Sequence, residues 1–351
     1  MELRRRASNL ILRNAVYCLG VKTRTATTAE RMKIFRHLQR RDAVSTPSFS
    51  TAAVASPTTD SYRYTLNNPL LSKSQRDFYE AKGYLVIPKL IDDDLIEEFR
   101  QRFVDICEGR IPKGTMILMK EVSLKDTDLK GEFLYYKAQD YHWDEVLSKY
   151  ALHPKVLDYV ECFTGPNIKA MHSMLINKPP DSGKMTSKHP LHQDLHYFPF
   201  RPADRIVAVW TAMEKVNEDN GCLVVIPGSH KGELLPHDYP KWEHGANKAF
   251  HQVEGYEDHP LVPLHMEKGD TVFFHPILIH GSDINKTKGF RKAISCHYAA
   301  SECHYIDVDG TTQENIAKEV EEMAARRGLD LNFKNVWKYK GRHVRGRQIT
   351  L

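Results

Sequence analysis

The chain has 351 residues, of which 41% are hydrophobic and 27% are charged, and its formal net charge is +5. These values are ordinary for a globular protein, and so small a net charge does not point to a nucleic acid partner. No apolar run approaches the roughly 20 residues that a membrane-spanning helix requires. The six cysteines form no Cys-x-x-Cys pair, which argues against a structural zinc site or a disulfide framework and favours a reducing compartment.

The first 43 residues are rich in arginine and poor in acidic residues, a composition typical of a targeting presequence. A disordered basic tail is the alternative interpretation of this composition. Residues 44–61 are small, polar and proline-containing, and they predict a flexible linker. We therefore expect one folded domain over residues 62–351.

Helical patterns dominate the first part of this domain. A helix capped at Ser72 or Ser74 is expected to end at Gly83, before a strand over Tyr84–Pro88. Two further helices are expected, one from Asp92 to Gly109 and one from Pro154 to Gly165. Apolar residues lie on one face of the helix after Asp92: Leu95, Phe99, Phe103 and Ile106.

From Gly165 to about residue 300, short segments rich in β-branched and aromatic residues alternate with turns. The predicted strands are Ile168–Asn177, Arg205–Met213, Cys222–Pro227, Thr271–Ile279 and Lys292–Ala299. Many short strands of this kind indicate a sandwich or jelly roll. A last helix is expected to begin at a capping box formed by Thr311 and Glu314. Its apolar stripe consists of Ile316, Val320 and Met323.

Two His-x-Asp motifs occur in the chain, and two histidines with one carboxylate form the ligand set of non-haem iron(II) oxygenases. The first motif, His142-Trp143-Asp144, lies in a segment that predicts a helix. Side chains two positions apart on a helix point about 200° away from each other and cannot bind one ion. We interpret this motif as a surface helix start, with Asp144 near the positive end of the helix.

The second motif, His192-Gln193-Asp194, follows a loop over residues 179–190 inside the β-rich region. In an extended segment, residues i and i+2 project to the same side, as two ligands of one metal must. His196 has the same parity and His189 is close in sequence. Both therefore remain alternative ligands.

The third ligand is expected at His280, which ends the apolar strand over 271–279 and precedes a glycine. Arg291 opens the next predicted strand. In a hairpin, the end of one antiparallel strand lies beside the start of the next, so Arg291 is expected close to the metal. A guanidinium there can pair through two hydrogen bonds with a carboxylate of 2-oxoglutarate. The His-x-Asp motif at 192–194, followed along the chain by His280 and Arg291, predicts an iron(II)- and 2-oxoglutarate-dependent oxygenase.

Longer runs of the sequence carry a more specific likeness. They are 159–167 (YVECFTGPN), 175–183 (LINKPPDSG), 189–201 (HPLHQDLHYFPFR), 220–230 (NGCLVVIPGSH), 266–282 (MEKGDTVFFHPILIHGS) and 289–297 (GFRKAISCH). These runs closely resemble the phytanoyl-CoA 2-hydroxylase family, and the likeness extends from about Tyr64 to near Glu322. It implies a mostly β fold with flanking helices, a double-stranded β-helix or cupin-like jelly roll.

The resemblance also implies a set of site residues. Iron would be bound by His192, Asp194 and His280, which sets aside His189 and His196 by analogy alone. The 2-oxoglutarate site would include Lys137, Met174, Gln193, Trp210 and Arg291. Without the resemblance, residues such as Met174 and Trp210 are more often part of the hydrophobic core than of a cofactor site. Ascorbate and O2 complete the implied cofactors and co-reactants.

The implied reaction is 2-hydroxylation of phytanoyl-CoA and other 3-methyl-branched acyl-CoAs, the first step of fatty-acid α-oxidation. 2-Oxoglutarate would be converted into succinate and CO2. Asp194 is retained, whereas related halogenases carry a small residue there, so hydroxylation is favoured. The alternatives are the same chemistry on another lipid or small molecule, or a non-catalytic binding module of the same fold.

Lysines provide candidates for binding the phosphates of the acyl-CoA substrate. Lys184 and Lys188 lie in the loop before the metal motif, and a basic segment over 338–347 is a second candidate. Exposed charges are more often simply solvated, and that interpretation stays open for both groups.

The resemblance implies a peroxisomal location and a partner, the import receptor for amino-terminal peroxisomal signals. The family signal has the form Arg-Leu-x5-His-Leu, whereas this chain has Glu30-Arg31-x5-His37-Leu38. The final tripeptide, Ile349-Thr350-Leu351, is not of the Ser-Lys-Leu type. Because the leader is rich in arginine, the mitochondrion is the alternative location.

Overall fold

A computed structural model describes residues 62–120, 128–185, 187–243, 246–256 and 258–351. The predicted presequence and linker, residues 1–43 and 44–61, lie outside these described residues. Within them, Tyr62–Ala325 and Asp330–Leu351 form one unit. No helix of this described part is long and apolar enough to cross a bilayer.

Helix α1 (Lys73–Lys82) has the predicted boundaries because both ends carry local capping groups. The Ser72 side chain accepts a hydrogen bond from the backbone N–H of Gln75, and the Gln75 side chain accepts one from the N–H of Ser72. At the other end, Gly83 has a φ of 82°, the left-handed conformation that glycine adopts readily. Strand β1 (Tyr84–Ile87) follows at once.

Helix α2 (Asp93–Cys107) packs one face into the core through Ile96, Phe99, Phe103 and Ile106. The prediction placed Leu95 on this face, but Leu95 is only partly buried. Ile96 lies three residues before Phe99 and occupies the centre of the stripe, whereas Leu95 lies at its edge. A single turn, α3 (Ser148–Ala151), precedes α4 (Pro154–Thr164), which has the predicted proline in its first turn.

The remaining strands follow in chain order: β2 (Ile117–Lys120), β3 (Tyr135–Gln139), β4 (Ile168–Lys178), β5 (His189–His192), β6 (Phe200–Arg201), β7 (Ile206–Ala212), β8 (Leu223–Val225), β9 (His237–Asp238), β10 (Gln252–Val253), β11 (Val262–Pro263), β12 (Thr271–Phe274), β13 (His280–Ser282), β14 (Arg291–Ala300), β15 (His304–Tyr305) and β16 (Arg342–Arg345). Two helices lie between β15 and β16, α5 (Glu314–Ala325) and α6 (Phe333–Lys340).

Two antiparallel sheets form the frame of the unit. The large sheet has the order β1–β12–β7–β14–β4–β3–β2, and β16 pairs with β4. The small sheet has the order β11–β8–β13–β5. Two-stranded pairs, β9 with β10 and β6 with β15, complete the pairing. Sequence neighbours such as β12 and β13 belong to different sheets, as in a jelly roll.

Strand β7 shows how the layers are built, since every one of its residues is buried. Ala208 and Trp210 face a core cluster that also contains Val225 of the small sheet. Val207 and Val209 face the opposite way, into the cluster that holds the side chains of α1, α2 and α4. The strand is therefore covered on both faces, which explains why its residues are apolar except for Thr211.

The predicted strand over 271–279 is wrong in its second half. The chain leaves the large sheet after Phe274, and the N–H of Leu278 donates a hydrogen bond to the carbonyl of His275 in a tight turn. Pro276 lies in this turn and has no N–H to donate to a strand neighbour. His280 consequently begins a strand of the small sheet instead of ending one of the large sheet.

The predicted capping box of α5 is also wrong. A carboxylate oxygen of Glu314 accepts a hydrogen bond from the N–H of Gly310, and the Thr311 hydroxyl accepts one from the N–H of Gln313. The two side chains therefore cap neighbouring residues and do not bond to each other's backbone. Ile316 is buried as predicted, while Val320 and Met323 are only partly buried.

Candidate active site

Two neighbouring strands of the small sheet bring His192, Asp194 and His280 together. His192 ends β5, and His280 begins β13 directly opposite it in the antiparallel register. Gln193 is extended, with φ −114° and ψ 125°, so His192 and Asp194 project to the same side. The predicted parity of the motif is confirmed by this geometry.

The ligand atoms of these three residues lie within 4.8 Å of one another. Oδ1 of Asp194 is 3.3 Å from Nε2 of His192 and 3.7 Å from Nε2 of His280. Two imidazoles and one carboxylate on one side of an ion form the facial ligand set of non-haem iron(II) sites. The donor set therefore fits iron(II) and leaves room for further ligands.

Hydrogen bonds on the far side of each ring fix the tautomer of both histidines. Nδ1 of His192 donates to the carbonyl of Pro190 at 2.8 Å, and Nδ1 of His280 donates to the carbonyl of Leu278 at 2.9 Å. The lone pair of each Nε2 is therefore directed toward the cluster, as a metal ligand requires. Burial lowers the pKa of His280 to about 4, which keeps its imidazole neutral.

Asp194 is held by a fourth residue, His297 on β14. Nε2 of His297 donates to Oδ2 of Asp194 at 2.8 Å, while Oδ1 faces the two ligand histidines. Burial alone would raise the pKa of Asp194, but His297 more than offsets this effect and keeps the pKa well below its usual value. The carboxylate is therefore ionised and oriented. His297 was not predicted, although it shares the parity of Arg291 on the same strand.

The cluster lines a cavity between the two sheets that has about 780 Å³ of empty space, its open mouth included. Arg291, Trp210, Met174 and Lys137 line the same cavity, as predicted. Further lining residues come from both sheets and from the connecting loops: Ile176, Lys178, Ser187, His189, Leu223, Asn247, Phe250, Phe274, Ser282 and Ser295. A concave cavity with apolar walls and a few converging polar groups is typical of a small-molecule site.

The guanidinium group of Arg291 is hydrogen-bonded on one side and has an unpaired donor on the other, within the described part of the chain. Nη2 donates to the carbonyl of Gly221 at 2.6 Å, and the group lies 5.5 Å from the Trp210 ring centre. Nη1 is buried without a hydrogen-bond partner among the described residues. A buried donor of this kind is expected to have an anionic partner, and the carboxylate of a cosubstrate fits that requirement.

Two buried lysines, Lys137 and Lys178, line the cavity. Burial lowers the pKa of Lys137 to about 8, and Asp194 partly offsets this effect. Nζ of Lys178 donates to the carbonyls of Ser187 and Asp283, which ties the loop before β5 to the segment after β13. Lys178 was not predicted, and its apolar strand context gave no indication of this role.

Arg291 reaches the cavity by a different route from the predicted one. We expected β13 and β14 to form a hairpin, but β13 pairs with β5 and β8, whereas β14 pairs with β4 and β7. The two strands therefore belong to opposite sheets. Arg291 faces His280 across the cavity instead of lying beside it in one sheet, because the inner faces of both sheets line this space.

Gln193 is the one residue of the predicted cofactor site that points elsewhere. Its side-chain oxygen accepts a hydrogen bond from the N–H of Leu235, and its NH2 group donates to the carbonyls of Glu233 and Ile277. Because adjacent residues of an extended segment point to opposite sides, Gln193 must face away from the cavity when His192 and Asp194 face it. Its contacts fix the surrounding loops.

The two alternative ligands have different environments. His196 lies in the turn over Asp194–Tyr197, where the backbone is no longer extended, and its Nε2 lies 2.9 Å from Nδ1 of His251. His189 lines the cavity, with its ring centre 4.3 Å from that of His192. Neither residue belongs to the group of converging ligand atoms found among the described residues.

The other His-x-Asp motif starts a helical segment, as predicted, but only Trp143 of the three residues is exposed. Asp144 accepts hydrogen bonds from the N–H groups of Val146 and Leu147 and pairs with Arg102 at 2.9 Å. His142 is fully buried, and its Nε2 donates to the carbonyl of Lys340 at 2.7 Å. The contact with the later helix α6 explains this burial.

Comparison with known proteins identifies the family. The model of the family described as phytanoyl-CoA dioxygenase (PhyH) matches residues 79–293, more than half of the chain. The chain belongs to this family. Peroxisomal phytanoyl-CoA dioxygenase of Rattus norvegicus is 52% identical over 335 residues, which cover 93% of this chain and 99% of the relative. The Homo sapiens protein of the same name is 52% identical over 326 residues, which cover 91% and 96%.

A solved structure shows the same fold. EctD from S. alaskensis, crystallised with 2-oxoglutarate and 5-hydroxyectoine, has a TM-score of 0.53 at 19% identity, and the match covers 74% of this chain and 88% of EctD. The family resemblance, the jelly-roll fold class and the assignment as a dioxygenase are thus confirmed. The rat and human relatives are named peroxisomal, which confirms the peroxisome as the predicted location over the mitochondrion.

Proposed function

We propose that this chain catalyses the iron(II)- and 2-oxoglutarate-dependent 2-hydroxylation of phytanoyl-CoA and other 3-methyl-branched acyl-CoAs. The observation that carries the proposal is the convergence of His192, Asp194 and His280 in a cavity that also contains the open guanidinium of Arg291. The names of the rat and human relatives supply the substrate.

His192, Asp194 and His280 would bind the iron through Nε2, a carboxylate oxygen and Nε2. The hydrogen bonds that orient both imidazole rings and the ionised carboxylate of Asp194 support this assignment, because the three donor atoms face one another. When bound, iron(II) with 2-oxoglutarate and O2 supplies the oxidant that converts C2–H into C2–OH, while 2-oxoglutarate is released as succinate and CO2.

Arg291 would bind the far carboxylate of 2-oxoglutarate through its unpaired Nη1. Trp210 packs beneath the guanidinium, and Met174 forms part of the adjacent wall. Lys137 adds a second cation, which favours a dianionic ligand over a neutral one. Gln193 would act on the site indirectly, by holding the loops around β5.

The protein would position C2 of the acyl group and keep water away from the site. Apolar side chains line much of the cavity, among them Ile176, Leu223 and Phe274, and they suit the hydrocarbon of the substrate. Lys188 lies between the lining residues Ser187 and His189, and Lys184 precedes it in the same loop. Both lysines would bind the phosphates of coenzyme A. Ascorbate as a supporting reductant and the import receptor as a partner belong to the same proposal.

One assay tests the proposal. Purified protein with iron(II), ascorbate and 2-oxoglutarate is incubated with and without phytanoyl-CoA, and succinate and 2-hydroxyphytanoyl-CoA are both measured. We expect succinate release that depends on phytanoyl-CoA and matches the hydroxylated product. Succinate release that is indifferent to acyl-CoA would indicate another substrate, and no release under any condition would indicate a binding module.

A further inference from the structure

A hairpin that belongs to neither of the two main sheets forms part of the cavity wall. Strands β9 and β10 pair in the register Val253 with His237 and Gln252 with Asp238. The connection between them carries Asn247 and Phe250, and both side chains line the cavity. The described residues of this segment, 237–243 and 246–253, are called the wall hairpin below.

Phe250 lies close to the metal-binding cluster. Its ring centre is 4.3 Å from the ring centre of His189, which in turn lies 4.3 Å from that of His192. On the other side, Nζ of Lys137 is 5.0 Å from the Phe250 ring centre. The ring is 7% exposed and presents an apolar surface one side chain away from a proposed iron ligand.

The backbone immediately before Phe250 is strained. Ala249 has a φ of 60°, in the left-handed region that non-glycine residues rarely adopt. Such a conformation persists only where the surroundings hold it in place, and it tends to occur at functional sites. The conformation of Ala249 sets the direction in which the next side chain, Phe250, leaves the main chain.

Glu319 on helix α5 holds this strained residue. The N–H of Ala249 donates to the Tyr239 hydroxyl at 3.0 Å and to one carboxylate oxygen of Glu319 at 3.2 Å. The same carboxylate oxygen accepts a hydrogen bond from the Tyr239 hydroxyl at 2.5 Å, so Glu319 also holds Tyr239 in place. The other carboxylate oxygen lies 3.1 Å from Nε2 of His251. From the opposite side, the Tyr197 hydroxyl donates to the carbonyl of Ala249 at 2.8 Å. Both polar groups of the strained residue are thus bonded by side chains.

We propose that Phe250 is a substrate-positioning side chain that contacts the branched acyl segment, and that Glu319 is a positioning residue that keeps Phe250 in the cavity by clamping Ala249. This inference rests on the proposed function. The part of the substrate that must lie near the iron is hydrocarbon, and Phe250 provides an apolar wall there, on the side of His189. A fixed wall holds C2 in one place, which couples 2-oxoglutarate conversion to hydroxylation.

The first test uses substitutions of Phe250 itself. We expect F250A to lower kcat/KM for phytanoyl-CoA by about tenfold or more and to release succinate in excess of hydroxylated product, with the KM for 2-oxoglutarate unchanged. F250L, which keeps an apolar side chain, should lose less. Thermal unfolding of each variant separates these effects from misfolding, and coupled, wild-type turnover by F250A would overturn the inference.

The second test separates clamping from a general role of Glu319 in stability. E319A should show the same uncoupling as F250A but more weakly, whereas E322A, which removes an exposed carboxylate from the same helix, should behave as wild type. Because glycine adopts the left-handed conformation without strain, A249G should restore coupling when combined with E319A. Absence of rescue in the double variant would overturn the clamp.

The wild-type enzyme distinguishes this inference from the proposed function. If wild-type protein releases no succinate in response to phytanoyl-CoA, the proposed function fails, and the variants are irrelevant. If the wild type is active and coupled while F250A and E319A are equally so, only the role of the wall hairpin fails.

Discussion

Nε2 of His297 donates a hydrogen bond to Oδ2 of Asp194 at 2.8 Å, and the other oxygen of that carboxylate faces His192 and His280. His297 belongs to β14 of the large sheet, whereas Asp194 lies in the turn that follows β5 of the small sheet. The bond therefore fixes which oxygen is available to the metal.

Loss of this bond should weaken metal binding. We expect H297A to reduce the affinity for Mn²⁺, used as a stable substitute for iron(II), by about 10- to 100-fold. H297Q, whose amide can still donate, should retain more affinity. The measurement is calorimetric titration of the metal-free protein, with H265A as a control because that side chain is 59% exposed. Unchanged affinity in H297A would contradict the role.

Substitution of Arg291 should weaken the binding of the cosubstrate 2-oxoglutarate and leave the binding of phytanoyl-CoA nearly unchanged. R291K retains the charge but loses the planar pair of donors, so the KM for 2-oxoglutarate should rise by about tenfold or more. The KM for phytanoyl-CoA should change little. R63K, at a side chain that is 65% exposed, is the matched control. An equal rise in both KM values would mean that Arg291 supports the fold and does not bind the carboxylate.

Gly281 lies where two strands of the metal site approach closely. A Cβ atom there would meet the carbonyl oxygens of His189 and Pro190 at 2.8 and 3.1 Å. G281A should therefore push β13 away from β5, destabilise the protein by about 1–3 kcal/mol and weaken Mn²⁺ binding. G289A, where nothing lies within 4 Å of the added atom, should have neither effect in thermal melts and metal titrations.

His142 should make folding stability depend on pH. Burial lowers its pKa from 6.5 to about 4, so between these values the unfolded chain binds a proton that the folded protein does not. The contribution of His142 to the free energy of unfolding is fully present above pH 6.5. It is lost as the pH falls toward 4, at up to about 1.4 kcal/mol per pH unit. Urea unfolding of wild type and H142N across this range should show a shallower dependence in the variant.

Lys184 and Lys188 should affect the acyl-CoA and not the cosubstrate. We expect the double variant K184A/K188A to raise the KM for phytanoyl-CoA by roughly threefold per lysine, while the KM for 2-oxoglutarate stays constant. The difference in the KM for phytanoyl-CoA between the double variant and the wild type should shrink at high ionic strength, because salt screens exposed charges. Equal effects on both KM values would reject a role in binding coenzyme A.

The sequence predicted those features that depend on neighbouring residues. Capping groups at Ser72 and Gly83 set the ends of α1, and strand parity aligned His192 with Asp194. The same parity, applied from Arg291 along β14, would have found His297 six residues later on the same face. The family resemblance supplied the jelly-roll topology and the residues of the cosubstrate site.

Features that depend on distant pairing were not predictable in this way. Residues 271–279 are mostly apolar and predicted one strand, and although Pro276 marks a break in this segment, no local pattern showed that the chain passes to the other sheet there. The burial of His142 depends on α6, which lies about 200 residues later in the chain. The orientation of Gln193 follows from its strand, but its partners at Glu233 and Ile277 come from loops that local patterns do not place.

The placement of His280 and Arg291 on different sheets has a mechanical consequence. A 2-oxoglutarate molecule bound to the metal at one end and to Arg291 at the other would bridge the two sheets. Its affinity would therefore depend on the distance between the sheets. Core substitutions that shift one layer by a fraction of an ångström, even far from any ligand atom, would loosen the cosubstrate while the protein stays folded and binds metal. Such variants would be rescued by a higher concentration of 2-oxoglutarate and not by a lower temperature.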